Sequence, residues 1–132
     1  MPHNTNGQKW IRNEKRCAIY ARDEFRCVYC LASPSKLVLD HVEPHAGNEA
    51  DNLVTSCLPC NMRKGDRSCS AWLLRREALG EERGQIALVR QRVAIATFLP
   101  PDLELGRRLE RQRHRGPGSF QKLARLRLHV AA

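Results

Sequence analysis

Four cysteines are spaced as metal ligands. Cys27 and Cys30 form one Cys-x-x-Cys pair, in "CVYC", and Cys57 and Cys60 form a second, in "CLPCN". A gap of two residues lets both sulfurs of a pair turn to the same ion, and two pairs complete the tetrahedral shell of Zn²⁺, with each sulfur about 2.3 Å from the metal. A shell of four thiolates leaves no position for water, so such a zinc would hold the chain in shape rather than activate a nucleophile. Its binding contributes on the order of 10 kcal/mol to the folding of a small domain. A redox Cys-x-x-Cys needs only one pair and a thioredoxin-like βαβ setting, for which the sequence carries no pattern. Cys17 and Cys69 stand outside the paired spacing and are expected as buried apolar thiols.

The 26 residues between Cys30 and Cys57 exceed the usual gap of a zinc ribbon, so the metal loop has been opened to contain something. It contains "LDHVEP", followed by "NLVTSCLPCNMRKGD". In order and spacing these elements resemble the zinc-containing branch of the HNH endonucleases, over about residues 23 to 67. The resemblance implies a ββα-metal fold. It places the three named positions of the family at His41 on the end of the first strand, Asn52 in the loop and Asn61 on the helix. This is an H-N-N variant, in which an amide oxygen faces the cation at the last position. The resemblance also implies cleavage of DNA to 5′-phosphate and 3′-hydroxyl ends.

The chemistry of these residue types agrees with that implication. Phosphodiester hydrolysis needs a water deprotonated on one side and a charged leaving oxygen stabilised on the other. A histidine imidazole is largely neutral at pH 7 and can accept the proton, which makes His41 the candidate general base. Asp40 and Asn61 are oxygen donors suited to Mg²⁺ or Mn²⁺, which take one or two protein oxygens plus water and phosphate. Neighbouring residues on a regular strand point to opposite faces, so Asp40 and His41 can share a site only if the strand bends or bulges at its end. Asn52, bridging backbone groups across the long loop, is the candidate that holds this bend. Around them, His45 is a candidate phosphate contact or third ligand, against plain solvation. Lys64, on the helix face of Asn61 and flanked by Arg63 and Arg67, is a candidate to neutralise a phosphate oxygen. Glu43 shares the strand face of His41 and either orients its ring or faces solvent.

The elements that must position these residues are legible in outline. Residues 11–25 carry apolar residues at helical spacing and predict a helix that delivers Cys27. "KLVLDHV", residues 36–42, reads as a strand stopped by Pro44, residues 45–51 as loop, and "NLVTS" as a brief second strand. A helix is expected from Cys60 to about Gly65. Residues 68–80, with a serine cap and a terminal glycine, predict a further helix. So do residues 85–99, with Ile86, Val89, Val93 and Ala96 on one stripe, and residues 102–115. Residues 119–130 fit either helix or strand, with a slight preference for strand. The expected fold class is therefore α+β, a small ββα-metal core with a four-cysteine zinc, flanked by helices. The expected divisions are a polar tail and helix over 1–26, the zinc-stapled core over 27–70, and a helical, basic extension over 71–132.

Charge indicates the partner. The 132 residues hold 23 Lys plus Arg against 14 acids, a formal net charge of +9, which favours a polyanion such as DNA. Residues 101–132 hold eight of the cations and three of the acids. Arg107 and Arg111 lie four apart there and are candidate phosphate contacts, with Arg115 next in the series. Such an extension suits sequence-independent, salt-sensitive backbone binding. No apolar run is long enough to span a bilayer, and the first ten residues are too polar for a signal peptide. The expected location is the cytoplasm of a bacterial or phage-infected cell. The expected function is a metal-dependent DNA endonuclease; the alternative is a non-catalytic zinc-knuckle module that binds DNA or RNA.

Overall fold

A computed structural model of the chain describes residues 11–113. The expectations for the first ten residues, for Arg115 and for 119–130 lie outside the described residues. In order, the elements are α1 (Asn13–Arg22), β1 (Leu37–His41), a short 3₁₀ turn (Ala50–Asn52), β2 (Leu53–Cys57), α2 (Leu58–Lys64), α3 (Cys69–Ala78), α4 (Arg83–Phe98) and α5 (Leu103–Arg113). No described helix is long and apolar enough to cross a membrane.

β1 and β2 pair antiparallel, with Leu37 opposite Cys57 and His41 opposite Leu53, and α2 follows β2 directly. This is the ββα unit. α2 begins at Leu58, two residues before the expected start, because the Cys57 side chain caps it, its sulfur accepting from the Cys60 N–H at 3.4 Å. The helix ends at Gly65, whose φ of 60° is costly for any residue with a Cβ.

Both faces of the hairpin are buried. On one face Val54 packs with the metal-loop cysteines, with Tyr29, and with Trp72 of α3 and Ile86 and Val89 of α4. On the other, Leu39 and Leu53 pack with Ile19 and Tyr20 of α1, Phe25 and Leu109 of α5. The α4 stripe read from the sequence, Ile86, Val89, Val93 and Ala96, is the buried one. The outer edge of β2 is also occupied: the Val28 N–H donates to Thr55 O at 2.9 Å, and the Thr55 N–H donates to Asp23 Oδ2 at 2.8 Å.

α1 stops at Arg22 rather than running to 25. Glu24 and Phe25 take left-handed φ values of 61° and 58°, turning the chain into the first cysteine pair while burying the Phe25 ring. The cost of such backbone for an L-residue is about 1–2 kcal/mol each, offset here by burial of the ring. The buried Arg22–Asp23 pair fixes the turn, since the guanidinium also donates to Ala50 O and Leu53 O at 2.9 and 2.7 Å.

α5 lies directly on α1. A Cβ built on Gly106 would stand 2.1 Å from Glu14 O and 2.8 Å from Ala18 Cβ, so only glycine permits the approach. Gly106→Ala is therefore expected to destabilise the protein by roughly 1–3 kcal/mol through overpacking, despite the better helix propensity of alanine. Urea unfolding checks this: equal or greater stability in the variant would mean that the two helices are not held this closely.

Candidate metal centre and active site

The two cysteine pairs meet. The four sulfurs of Cys27, Cys30, Cys57 and Cys60 lie within 4.8 Å of one another, and Cys30 Sγ is 3.7 Å from Cys57 Sγ. A tetrahedron with bonds of about 2.3 Å has edges of about 3.8 Å, so the set fits a four-coordinate zinc. Local backbone builds each half. Leu31, with φ of 67°, closes the first turn by donating its N–H to Cys27 O at 2.8 Å, and the start of α2 forms the second. Arg92 of α4 grips the first turn from outside, donating to Val28 O at 2.9 Å and to Tyr29 O at 2.8 Å.

The thiols influence one another strongly. Cys27 is brought down to about 4, chiefly by the hydrogen bond from Cys60 and further by nearby backbone donors. Cys60 is pushed up by that same bond and then by burial, and Cys30 is pushed up first by burial. A bound cation is what allows the whole set to ionise. Cys17 and Cys69, outside the set, are both buried.

Beside this centre lies a second polar cluster, inside the hairpin and its helix. Asp40 is only 6% exposed; it accepts two hydrogen bonds and forms an ion pair. Its Oδ1 accepts from Asn61 Nδ2 at 3.0 Å; its Oδ2 accepts from the Tyr29 hydroxyl at 2.5 Å and is paired with the Lys64 ammonium, Nζ at 3.1 Å. Lys64 Nζ also donates to His41 O at 2.7 Å. The Tyr29 phenol is pushed far above its ordinary range, by burial first and by Asp40 next, so it remains a donor.

The placement of Lys64 corrects one expectation. At 1% exposed, its ammonium is turned inward and does not reach a phosphate at the surface. A buried carboxylate in Asp40 requires a counter-charge, and Lys64 supplies it.

His41, the last residue of β1, is partly exposed, and its Nε2 lies 2.7 Å from Asn48 Oδ1. The ladder stays regular through His41, which shares a face with Leu39, whereas Asp40 faces the zinc side. The chain bends only after the strand, at Val42 and Glu43, so the distortion expected to turn Asp40 and His41 to one face is not in β1 itself. Asn52 braces the bend: its Oδ1 accepts from the Glu43 N–H at 2.9 Å, and its Nδ2 donates to Glu43 O at 2.9 Å and to Gly47 O at 3.0 Å. The Glu43 side chain is exposed, and Asn48 is a partner of the His41 ring.

The remaining expected residues stand at the surface. His45 is exposed in the loop, with φ of 70°. Arg63 and Arg67 are exposed at and beyond the end of α2, while Arg107 and Arg111 are exposed on α5, where Arg107 pairs with Glu104 at 3.1 Å. Tyr29, Asn48 and Arg92 were not singled out from the sequence. Tyr29 reads as a spacer between two ligands and Asn48 as loop composition. Arg92 lies 62 residues beyond Cys30 and gives no local signal.

A two-stranded hairpin closed by a helix, with a four-thiol centre at its base, defines an α+β protein of ββα-metal architecture. Residues 27–67 match the family model described as HNH endonuclease. That segment holds all four thiols together with Asp40, His41, Asn52 and Asn61, and the match points to a nuclease-type or nucleic-acid-related function for it. Comparison with curated proteins gives no match, and neither does comparison with solved structures.

Proposed function

We propose that this protein is a metal-dependent endonuclease that hydrolyses DNA phosphodiester bonds. The observation that carries the reading is the contact between Asp40 Oδ1 and the Asn61 amide, 3.0 Å apart, inside the segment that matches the HNH endonucleases and one residue from His41. A half-turn of that amide exchanges its nitrogen and oxygen, which sets two oxygen donors side by side for Mg²⁺ or Mn²⁺. When bound, the cation supplies charge stabilisation to the scissile phosphate and the departing 3′ oxygen. His41 takes the proton of the attacking water. With its Nε2–H donated to Asn48, the ring is in the tautomer whose acceptor lone pair is on Nδ1. Asn52 acts indirectly, holding the loop on which Asn48 sits. The exposed Arg63, Arg67, Arg107 and Arg111, with His45, are the proposed contacts to the DNA backbone.

The test is plasmid cleavage by the purified, zinc-quantified protein in Mg²⁺, Mn²⁺ or Ni²⁺. Nicked or linear product that depends on the added cation, at one zinc per chain, is the expected result. Salt-sensitive DNA or RNA binding without cleavage in any of the three would assign the chain to a zinc-stapled binding module instead.

A further inference from the structure

The zinc turn and the proposed cation site share one side chain. Tyr29 lies between the ligands Cys27 and Cys30, and its hydroxyl reaches Asp40 Oδ2 at 2.5 Å. Two further contacts hold this residue. Its ring stands edge-on to Trp72, with centroids 5.0 Å apart and planes at 83°, and its carbonyl is held by Arg92. Trp72 is itself covered by the Arg76 guanidinium, 4.7 Å from the ring centroid. Asp40 Oδ2 thus has the buried Tyr29 hydroxyl and the buried Lys64 ammonium against it, whereas the partner of Oδ1 among the described residues is Asn61.

We propose that Tyr29 is a positioning residue for the cation site: its hydroxyl, fixed by the zinc turn, holds Asp40 so that the carboxylate offers Oδ1 alone to a divalent cation. One oxygen per carboxylate suits Mg²⁺ or Mn²⁺, which demand near-octahedral geometry, whereas Ca²⁺ readily takes both oxygens. Donors behind a ligating carboxylate hold it in the ligating orientation, and their loss typically lowers metal affinity 10–100-fold. The zinc then sets the geometry of a second ion through a single hydrogen bond. The inference rests on the reading that Asp40 and Asn61 hold the cation.

Tyr29→Phe removes the hydroxyl and keeps the ring against Trp72. Mn²⁺ binding to the zinc-loaded full chain, followed by electron paramagnetic resonance without DNA, is expected to weaken 10–100-fold in this variant. It should be unchanged in Tyr20→Phe, whose hydroxyl donates to Leu37 O on the other side of the hairpin. In plasmid cleavage the Mn²⁺ concentration for half-maximal rate should rise by the same factor, with the rate at saturating Mn²⁺ within several-fold of the parent. Zinc content and far-ultraviolet circular dichroism report whether the fold is retained.

Parent-like Mn²⁺ affinity in Tyr29→Phe overturns the inference and leaves the nuclease reading standing. A parent protein that neither binds Mn²⁺ nor cleaves DNA overturns both. If Tyr29→Phe loses zinc, the parent chain labelled with 3-fluorotyrosine gives the answer. The fluorine resonance of Tyr29, assigned with Tyr20→Phe, must shift on Mg²⁺ saturation, and an unmoved resonance overturns the coupling.

Discussion

His41→Ala is expected to slow DNA cleavage by roughly 10²–10⁴-fold, the range of a lost general base, while zinc content, fold and DNA affinity stay near those of the parent. The separation follows from where the residue sits. What ties position 41 to the core is its backbone: its carbonyl accepts from Lys64 Nζ at 2.7 Å, and the strand pairing to Leu53 continues through it. Alanine keeps both. The ring is partly exposed at the end of β1, so its removal should cost cleavage far more than stability. Single-turnover cleavage at saturating Mn²⁺, beside a filter-binding titration, measures the two effects apart. Added imidazole should restore part of the lost rate, because the missing group is a small diffusible base. Asn48→Ala, which leaves the imidazole but removes its 2.7 Å partner, should give a smaller defect of the same kind. An undiminished rate in His41→Ala would remove the base from the mechanism.

Cys60→Ser is expected to abolish zinc retention and unfold the chain. Zinc bound by four thiolates contributes on the order of 10 kcal/mol, comparable with the roughly 5–15 kcal/mol net stability of a whole domain. The structure shows why the loss cannot stay local. Cys27, Cys57 and Cys60 are buried in the same core as Val54, Trp72, Ile86 and Val89, so the centre joins the hairpin to α3 and α4. Cys69→Ser, at a buried thiol outside the set, serves as the control and should keep its zinc. Acid should act in the same direction as a chelator. Zinc holds thiolates and its binding releases protons, so lowering the pH returns those protons and weakens the complex. Circular dichroism beside zinc release, followed with a chromogenic chelator, records both. A Cys60→Ser protein that melts like the parent would show that the centre does not hold the fold.

Much of this was readable from local pattern. The ligand spacing of Cys27 and Cys30, and of Cys57 and Cys60, is a short-range property, since two residues of chain suffice to bring two sulfurs to one ion. The hairpin and α2 were legible in outline, from an apolar β-branched run, a proline stop and a short helix ended by glycine. The stripe on α4 was visible in its period. Asn52 was also predictable as a loop brace, because an amide near a long turn has backbone groups to satisfy.

Three features were decided only by tertiary structure. Lys64 reads as a surface cation in "NMRKGD" and turns inward because Asp40, 24 residues earlier, is buried and needs its charge. Tyr29 reads as a spacer and becomes a link between the zinc turn and Asp40, because the hairpin folds back over that turn. The strand bend falls at Val42 and Glu43, where Asn52 can reach both backbone groups of Glu43. The physical reason is the same in each case. Composition and spacing along this chain determine which atoms can bind metal, whereas burial, and the charge and hydrogen-bond partners that burial demands, arise only when distant segments pack against one another.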